Sequence, residues 1–296
     1  MHHALRYYLF ATLLSFGFVS QAQAEDPLIV PLWKKGPPGF EKLKDEPEEA
    51  EDYWVKHIRN PSLMVYRADP KIANGTAVLI APGGGQKLLV INGEGRDPAL
   101  YFNKLGITAI VLKYRLAEEA GSPYAGGFFA QEDAYRAIRT LRSRAKEFGI
   151  APDKIGFMGF SAGGEVVSSV AYAAGDGNPK AKDPIDRLNG KPNFQILIYP
   201  GSKFIPTQLD SHAPPAFMLA AIDDINNSKP LMDLIQLYHG AKIPAELHIY
   251  AQGGHAFNMG YRSTLKTLHT WPDRLTDWLD DSGYLKVTVP QVELKK

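Results

Sequence analysis

A serine set between glycines, a pair of adjacent aspartates and a histidine preceded by two glycines carry most of the chemical content of this 296-residue chain. Ser161 stands in Gly159-Phe160-Ser161-Ala162-Gly163-Gly164, after an apolar run over 154–160 and before a helix-compatible stretch over 165–174. A strand turning sharply into a helix lifts a serine hydroxyl clear of the sheet edge, and flanking glycines let the backbone pass without Cβ clashes. A plain glycine-rich turn is the other reading of these residues, and the strand before and helix after argue against it. A serine is a poor nucleophile at neutral pH, so it needs a base, an acid that orients the base, and donors for a developing oxyanion. His255 is the candidate base: it follows a strand expected over 246–250 through Ala251-Gln252-Gly253-Gly254, a loop able to carry an imidazole over the sheet edge. Of the other histidines, His2 and His3 fall in the N-terminal leader, His248 lies inside a strand, and His57, His212, His239 and His269 lack such a glycine-flanked position. The acid is expected after the preceding strand, where Ile222-Asp223-Asp224-Ile225 offers two carboxylates that cannot both face one histidine. Asp224 stands at the expected depth and Asp223 is its alternative, the remaining residue serving as a cap or turn former.

Pro82-Gly83-Gly84-Gly85-Gln86 follows a strand expected over 76–81. Consecutive glycines allow backbone N–H groups to converge on an alkoxide, so the expected donors are Gly84 or Gly85, or Gln86, together with the amide of Ala162. A phosphate loop would need a Gly-Lys-Ser/Thr ending or a Gly-x-Gly-x-x-Gly helix start, and neither is present.

The elements that must position these residues alternate. Strands are expected over 62–67, 76–81, 107–114, 154–160, 195–199, 216–221 and 246–250, and helices over 98–105, 129–148, 165–174, 230–239 and 264–279. This alternation implies an α/β fold with a mainly parallel central sheet and helices on both faces. In the second helix Ala134, Ile138, Leu141, Ala145 and Phe148 form one apolar stripe, with Arg139, Arg142, Arg144 and Lys146 expected on a solvated face. The acidic run over 45–52 reads as a solvated helix face or loop and not a metal site, since no histidine stands at ligand spacing. Loops over 176–193 and 201–214 are short and polar, which predicts an open site without a large apolar lid. Tyr114, Tyr124, Phe128, Phe129 and Tyr261 are candidate faces for sugar stacking, with core packing as the alternative for each.

Thirty-three basic and 32 acidic residues leave a net charge of +1, which provides no field to recruit nucleic acid or an anionic membrane surface. Arg6, an apolar core over 9–19 and Ala22-Gln23-Ala24 read as a signal peptide over residues 1–24, leaving a domain over 25–296 that is secreted or periplasmic and free of membrane after cleavage. The chain has no cysteine, so neither disulfides nor a lipoprotein anchor accompany export.

The order Ser161, Asp224, His255 is that of the α/β-hydrolases. The chain resembles the acetylxylan-esterase-like members of that superfamily, a bacterial carbohydrate-esterase grouping, over nearly its whole length after the leader. Ala81-Pro82-Gly83-Gly84-Gly85 is similar to the family's P-G-G-G-Y loop, Gly93-Glu94-Gly95 to its E-G turn, and Val111-Leu112-Lys113-Tyr114-Arg115-Leu116 to its L-K-Y-R-L strand end. Glu132-Asp133-Ala134-Tyr135-Arg136-Ala137 resembles its D-x-x-R-A helix start, and Gly253-Gly254-His255-Ala256-Phe257 its histidine loop. Gln86 departs from the expected aromatic, and Glu165 stands where a histidine often follows the elbow. The resemblance implies a serine esterase acting on short acyl, above all O-acetyl, esters of carbohydrates such as acetylated xylan, without metal or organic cofactor and with a small-molecule or glycan ester as its partner. A small-acyl carboxylesterase or lactonase is the nearest alternative, ahead of a peptidase or a non-catalytic binding protein.

Overall fold

A computed structural model describes residues 26–286; the signal peptide expected over 1–24, and residues 287–296, lie outside the described residues. Eight strands form one sheet: β1 (Leu28–Pro31), β4 (Ser62–Tyr66), β5 (Ala77–Ala81), β6 (Thr108–Lys113), β7 (Ile155–Phe160), β8 (Phe194–Ile198), β9 (Ala216–Ala221) and β10 (Ala245–Tyr250), in the order β1-β4-β6-β5-β7-β8-β9-β10. Pairing is antiparallel from β1 to β4 and from β4 to β6, and parallel across the rest. A small hairpin, β2 (Glu49–Ala50) with β3 (Val55–Lys56), stands apart. Every residue of β5, β7, β8 and β9 is buried, which is why these strands read in the sequence as unbroken apolar runs and not as alternating ones.

Seven α-helices complete the described residues: α1 (Asp97–Lys104), α2 (Phe129–Ser143), α3 (Ala145–Phe148), α4 (Ala162–Ala171), α5 (Ile225–Ala241), α6 (Lys266–His269) and α7 (Trp271–Asp281). They cover both faces of the sheet, with α4 lying against β5, β7 and β8, α5 against β9 and β10, and α1 against β4 and β6. The apolar stripe of α2 and α3 is buried as its spacing predicts: Ala134, Ile138, Leu141, Ala145 and Phe148 all join the core.

Several expectations need correction. The helix over 129–148 is two helices, because Arg144 (φ −111°, ψ 20°) leaves the helical region between α2 and α3. The helix over 264–279 is likewise divided at Thr270 (φ −106°, ψ 5°), just ahead of Pro272, which has no N–H to continue the ladder. Helix α5 starts at Ile225 and not at Pro230; the proline sits inside it, and the turn opens where the Ser228 amide bonds the Asp224 carbonyl at 2.9 Å. Arg139 and Arg142 are not on a solvated face. Arg139 donates to the Leu188 carbonyl at 2.8 Å, and Arg142 to the carbonyls of Pro152 and Lys191 at 3.1 and 2.7 Å, so both pin the loop that follows α4. The acidic run is a loop, one of the two forms expected of it, with Glu49 and Ala50 in β2, and three of its carboxylates are paired across the fold: Glu46 with Arg59, Glu48 with Lys113 and Glu49 with Lys56.

The C-terminal ends of β5, β7, β9 and β10 open on one edge of the sheet. They release in turn the glycine loop, Ser161, Asp224 and His255, so four distant segments of sequence converge there.

Candidate active site

Ser161 lies between β7 and α4 with φ 49° and ψ −119°, a conformation that a residue with a side chain adopts only under constraint. The constraint is the close approach of α4 to the strand ends. A Cβ at Gly163 would stand 2.0 Å from the Ala81 carbonyl oxygen, and one at Gly159 2.3 Å from the Gly163 oxygen, so only glycine fits at either position. Among the described residues seven non-glycine residues have positive φ, and five of them, Gln86, Ser161, Tyr199, Ala256 and Asn258, lie on the loops at this edge. Strain is concentrated where the side chains meet.

His255 Nε2 is 2.8 Å from Ser161 Oγ, and His255 Nδ1 is 2.7 Å from Asp224 Oδ2. A carboxylate only accepts, so the Nδ1 proton is donated to Asp224, and Nε2 is left to accept from the serine hydroxyl. Asn227, on the first turn of α5, donates through Nδ2 to both oxygens of Asp224 at 2.9 Å and fixes the plane of the carboxylate. Asp223 points elsewhere. It accepts from the amides of Gly253 at 3.2 Å and Gly254 at 2.9 Å, and these two donors hold its pKa below the ordinary carboxylate value. Of the two candidate acids, Asp224 is therefore the one in contact with His255, and Asp223 tethers the loop that carries it. Asn227 carries no signal in the sequence, since an asparagine three residues into a helix fits many roles.

The glycine loop runs directly against the serine: a Cβ at Gly83 would lie 3.0 Å from Ser161 Cβ. The Gly83 amide donates to Glu94 Oε2 at 2.7 Å, while the amides of Gly84, Gly85 and Gln86 meet no acceptor among the described residues. Gly84 (φ 130°) turns its carbonyl away toward the amides of Lys87 and Leu88, at 3.1 and 3.3 Å. Ala162 is the first residue of α4, so its N–H has no intrahelical acceptor. Gln86 is buried, with Nε2 3.5 Å from the Ala162 carbonyl and no partner for its Oε1 among the described residues. Glu165 lies one turn beyond the serine, where burial raises its pKa.

Two of the five aromatics follow the core-packing alternative. Tyr114 and Tyr124 are fully buried and offer no face to a sugar. Tyr114 instead donates to the Pro82 carbonyl at 2.6 Å and anchors the glycine loop from below, and Tyr124 packs on Phe40 and Phe129. Phe128 is half-buried against Phe204 at 4.5 Å between ring centroids, and Tyr261 is exposed. Among the described residues no group of three or more histidine, aspartate or glutamate side chains could hold a metal ion.

This arrangement can transfer a proton from a serine hydroxyl to an oriented imidazole beside unpaired backbone donors, which is the equipment for acyl transfer. A family model described as alpha/beta hydrolase fold matches residues 83–223. The chain has the α/β-hydrolase fold, by that match and by its sheet and helix arrangement. It is 28% identical over 255 residues to an acetylxylan esterase of Xylanibacter ruminicola, covering 75% of this chain and 47% of that protein. Over 165 residues it is 30% identical to carboxylesterase NlhH of Mycobacterium tuberculosis, covering 55% of this chain and 41% of that one. The chain thus spans less than half the length of either curated relative. Among solved structures, an acetyl ester-xyloside bifunctional hydrolase from Caldicellulosiruptor lactoaceticus superposes with a TM-score of 0.71 at 24% identity, covering 89% of this chain and 99% of that one.

Proposed function

We propose that the protein is a secreted serine esterase that removes short acyl groups, above all O-acetyl, from carbohydrates such as acetylated xylan. Ser161 Oγ attacks the ester carbonyl as His255 Nε2 takes its proton, and Asp224 keeps the imidazole in the required tautomer and stabilises the imidazolium. The tetrahedral oxyanion is held by the amide of Ala162 and those of Gly84 and Gly85. As it collapses, His255 returns the proton to the departing sugar hydroxyl, leaving an acetyl group on Ser161. Water, activated by the same histidine, then releases acetate. No metal or organic cofactor takes part in these steps.

The observation that carries this reading is the run of short contacts from Asp224 through His255 to Ser161, 2.7 and 2.8 Å, beside unpaired backbone amides. The similarity to an acetylxylan esterase supports the carbohydrate alcohol, and the short polar loops over 176–193 and 201–214 support an open site suited to a polymer. The leader over residues 1–24 supports export, and among the described residues no helix is long and apolar enough to cross a membrane.

The test compares kcat/KM on aryl acetate, butyrate and octanoate, then measures acetate release from acetylated xylan. A buried methylene is worth only about 0.8 kcal/mol, so a site without an acyl tunnel gains little from a longer chain and is expected to prefer acetate. Ser161→Ala is expected to lower kcat by a factor on the order of 10⁶ with the fold intact. Turnover of aryl acetate without release from any acetylated glycan would favour a simple small-acyl carboxylesterase, the activity for which the relative NlhH is named.

A further inference from the structure

Glu94 is a carboxylate that the acyl-transfer steps do not use, yet it lies beneath them, 2% exposed, on a π-helical turn over Asn92–Arg96. Its Oε2 accepts the Gly83 amide at 2.7 Å, at the base of the glycine loop. Its Oε1 accepts the Tyr199 hydroxyl at 3.0 Å and the side-chain amide of Asn258 at 2.8 Å, the orientation in which that amide nitrogen also faces the Ala256 carbonyl at 3.2 Å. The Tyr199 hydroxyl in turn accepts the backbone amide of Asn258 at 3.0 Å, and its ring stands edge-on to the His255 ring, 4.9 Å between centroids. Ala256 and Asn258 have positive φ, so the histidine loop is held in a conformation its residues do not favour alone, and Tyr199, just past β8, is strained in the same way.

We propose that Glu94 is a positioning residue for this site: its carboxylate, accepting from both sides, locks the glycine loop to the histidine loop. The inference rests on the esterase reading of the site. One acceptor group joins the two segments that must keep their spacing, the amides that meet the oxyanion and the imidazole that moves the proton. A carboxylate can accept from all three donors at once, whereas a carboxamide must turn its own N–H groups toward at least one of them. Burial raises the pKa of Glu94, while the Gly83 amide, the Tyr199 hydroxyl and the field of His255 pull it down. The other titratable groups nearby are Tyr114 and Tyr199, both kept neutral by burial, and Asp224, which contacts His255 from the far side.

The test measures kcat and KM separately on aryl acetate for Glu94→Gln and Glu94→Asp. In Glu94→Gln, kcat is expected to fall by at least about tenfold, short of the roughly 10²–10³ lost when an oxyanion donor is deleted outright, with KM changed by less than about threefold. Glu94→Asp keeps the acceptor oxygens but shortens the reach, so its kcat should lie between those of Glu94→Gln and the wild type. An unchanged kcat in Glu94→Gln, or a KM that rises as steeply as kcat falls, overturns the proposal. If neither variant folds, Tyr199→Phe removes the bridging hydroxyl alone; a wild-type kcat in that protein overturns it too. Loss of wild-type turnover in Ser161→Ala separately tests the esterase reading, so the two can fail independently.

Discussion

At the level of single residues, the two adjacent aspartates show what spacing can and cannot resolve. Their position after β9 marks the place of an acid, but consecutive side chains diverge, and only the fold assigns one to His255 and the other to the amides of Gly253 and Gly254. Asp224→Asn is expected to lower kcat on aryl acetate by a factor on the order of 10⁴, because an amide donor opposite Nδ1 selects the wrong tautomer. Asp223→Asn should cost far less in kcat and should loosen the histidine loop, visible as faster hydrogen exchange over 251–256. A reversed ranking of the two kcat values would transfer the acid's role to Asp223. Ser161 and His255 could be located in the sequence because backbone demands single them out: glycines where α4 meets the strand ends, and glycines before a loop histidine. Asn227 and Glu94 could not, since their importance lies in which distant atoms they reach. Tyr114 and Tyr124 were left with two readings for the related reason that an aromatic side chain reads alike whether it packs inward or faces solvent.

The secondary-structure elements divide along similar physical lines. Strands buried on both faces, β5, β7, β8 and β9, announce themselves as apolar runs and differ from their expected spans by no more than one residue at either end. The edge is harder to see: β1 exposes Leu28 and Ile29 and is defined by pairing with β4, which no local pattern encodes. Helix lengths were overrun where apolar spacing continued through a break, at Arg144 and ahead of Pro272. The arginines of α2 were misplaced because a cation at helical spacing looks the same whether water or a carbonyl receives it. Arg142 bonds the carbonyls of Pro152 and Lys191 and the Asn193 side chain, so it fastens α2 to the loop before β8. It is half-buried, and burial lowers its pKa. Arg142→Ala is expected to cost about 1–2 kcal/mol, at the lower end for bonds to a charged group, or roughly 2–8 °C in Tm for a chain of this size. Aryl acetate turnover should hardly change, since the loop lies away from Ser161; a drop in kcat as large as that of Asp224→Asn would mean this loop shapes the site.

For the molecule as a whole, the segment from Pro31 to Asn60 is held on the sheet-and-helix body by buried cations. Arg115, just past β6, has a fully buried side chain, and its Nη2 stands 2.8 Å from Asp133 Oδ1 on α2 and 3.0 Å from Glu132. The rings of Trp33, Phe40, Tyr124 and Phe129 surround the guanidinium at 4.9–5.9 Å from their centroids. Arg136 repeats the device nearby, donating to the Leu32 carbonyl at 3.1 Å and pairing with Asp183 and Asp186. Burial raises the pKa of Asp133 to about 6 even with Arg115 beside it, so at neutral pH the carboxyl is ionised and depends on that one cation. Arg115→Met is therefore expected to destabilise the protein by about 3–5 kcal/mol at pH 7, or roughly 6–20 °C in Tm, because it strands a buried charge. Arg115→Met combined with Asp133→Leu should recover part of that loss, since two apolar side chains leave no buried charge, and only the backbone amide of residue 115 loses its acceptor. The pH dependence has a definite sign. A carboxyl whose folded pKa lies above its unfolded value of about 3.9 contributes stability that is fully present below 3.9 and is lost as pH rises through the folded pKa. Without Arg115 that folded pKa rises further, so the deficit of the single variant should be larger at pH 8 than at pH 5, and the double variant should show no such trend. Urea unfolding at the two pH values measures both; an equal deficit at each pH would mean that Arg115 stabilises the fold through its ring contacts and not through the charge of Asp133.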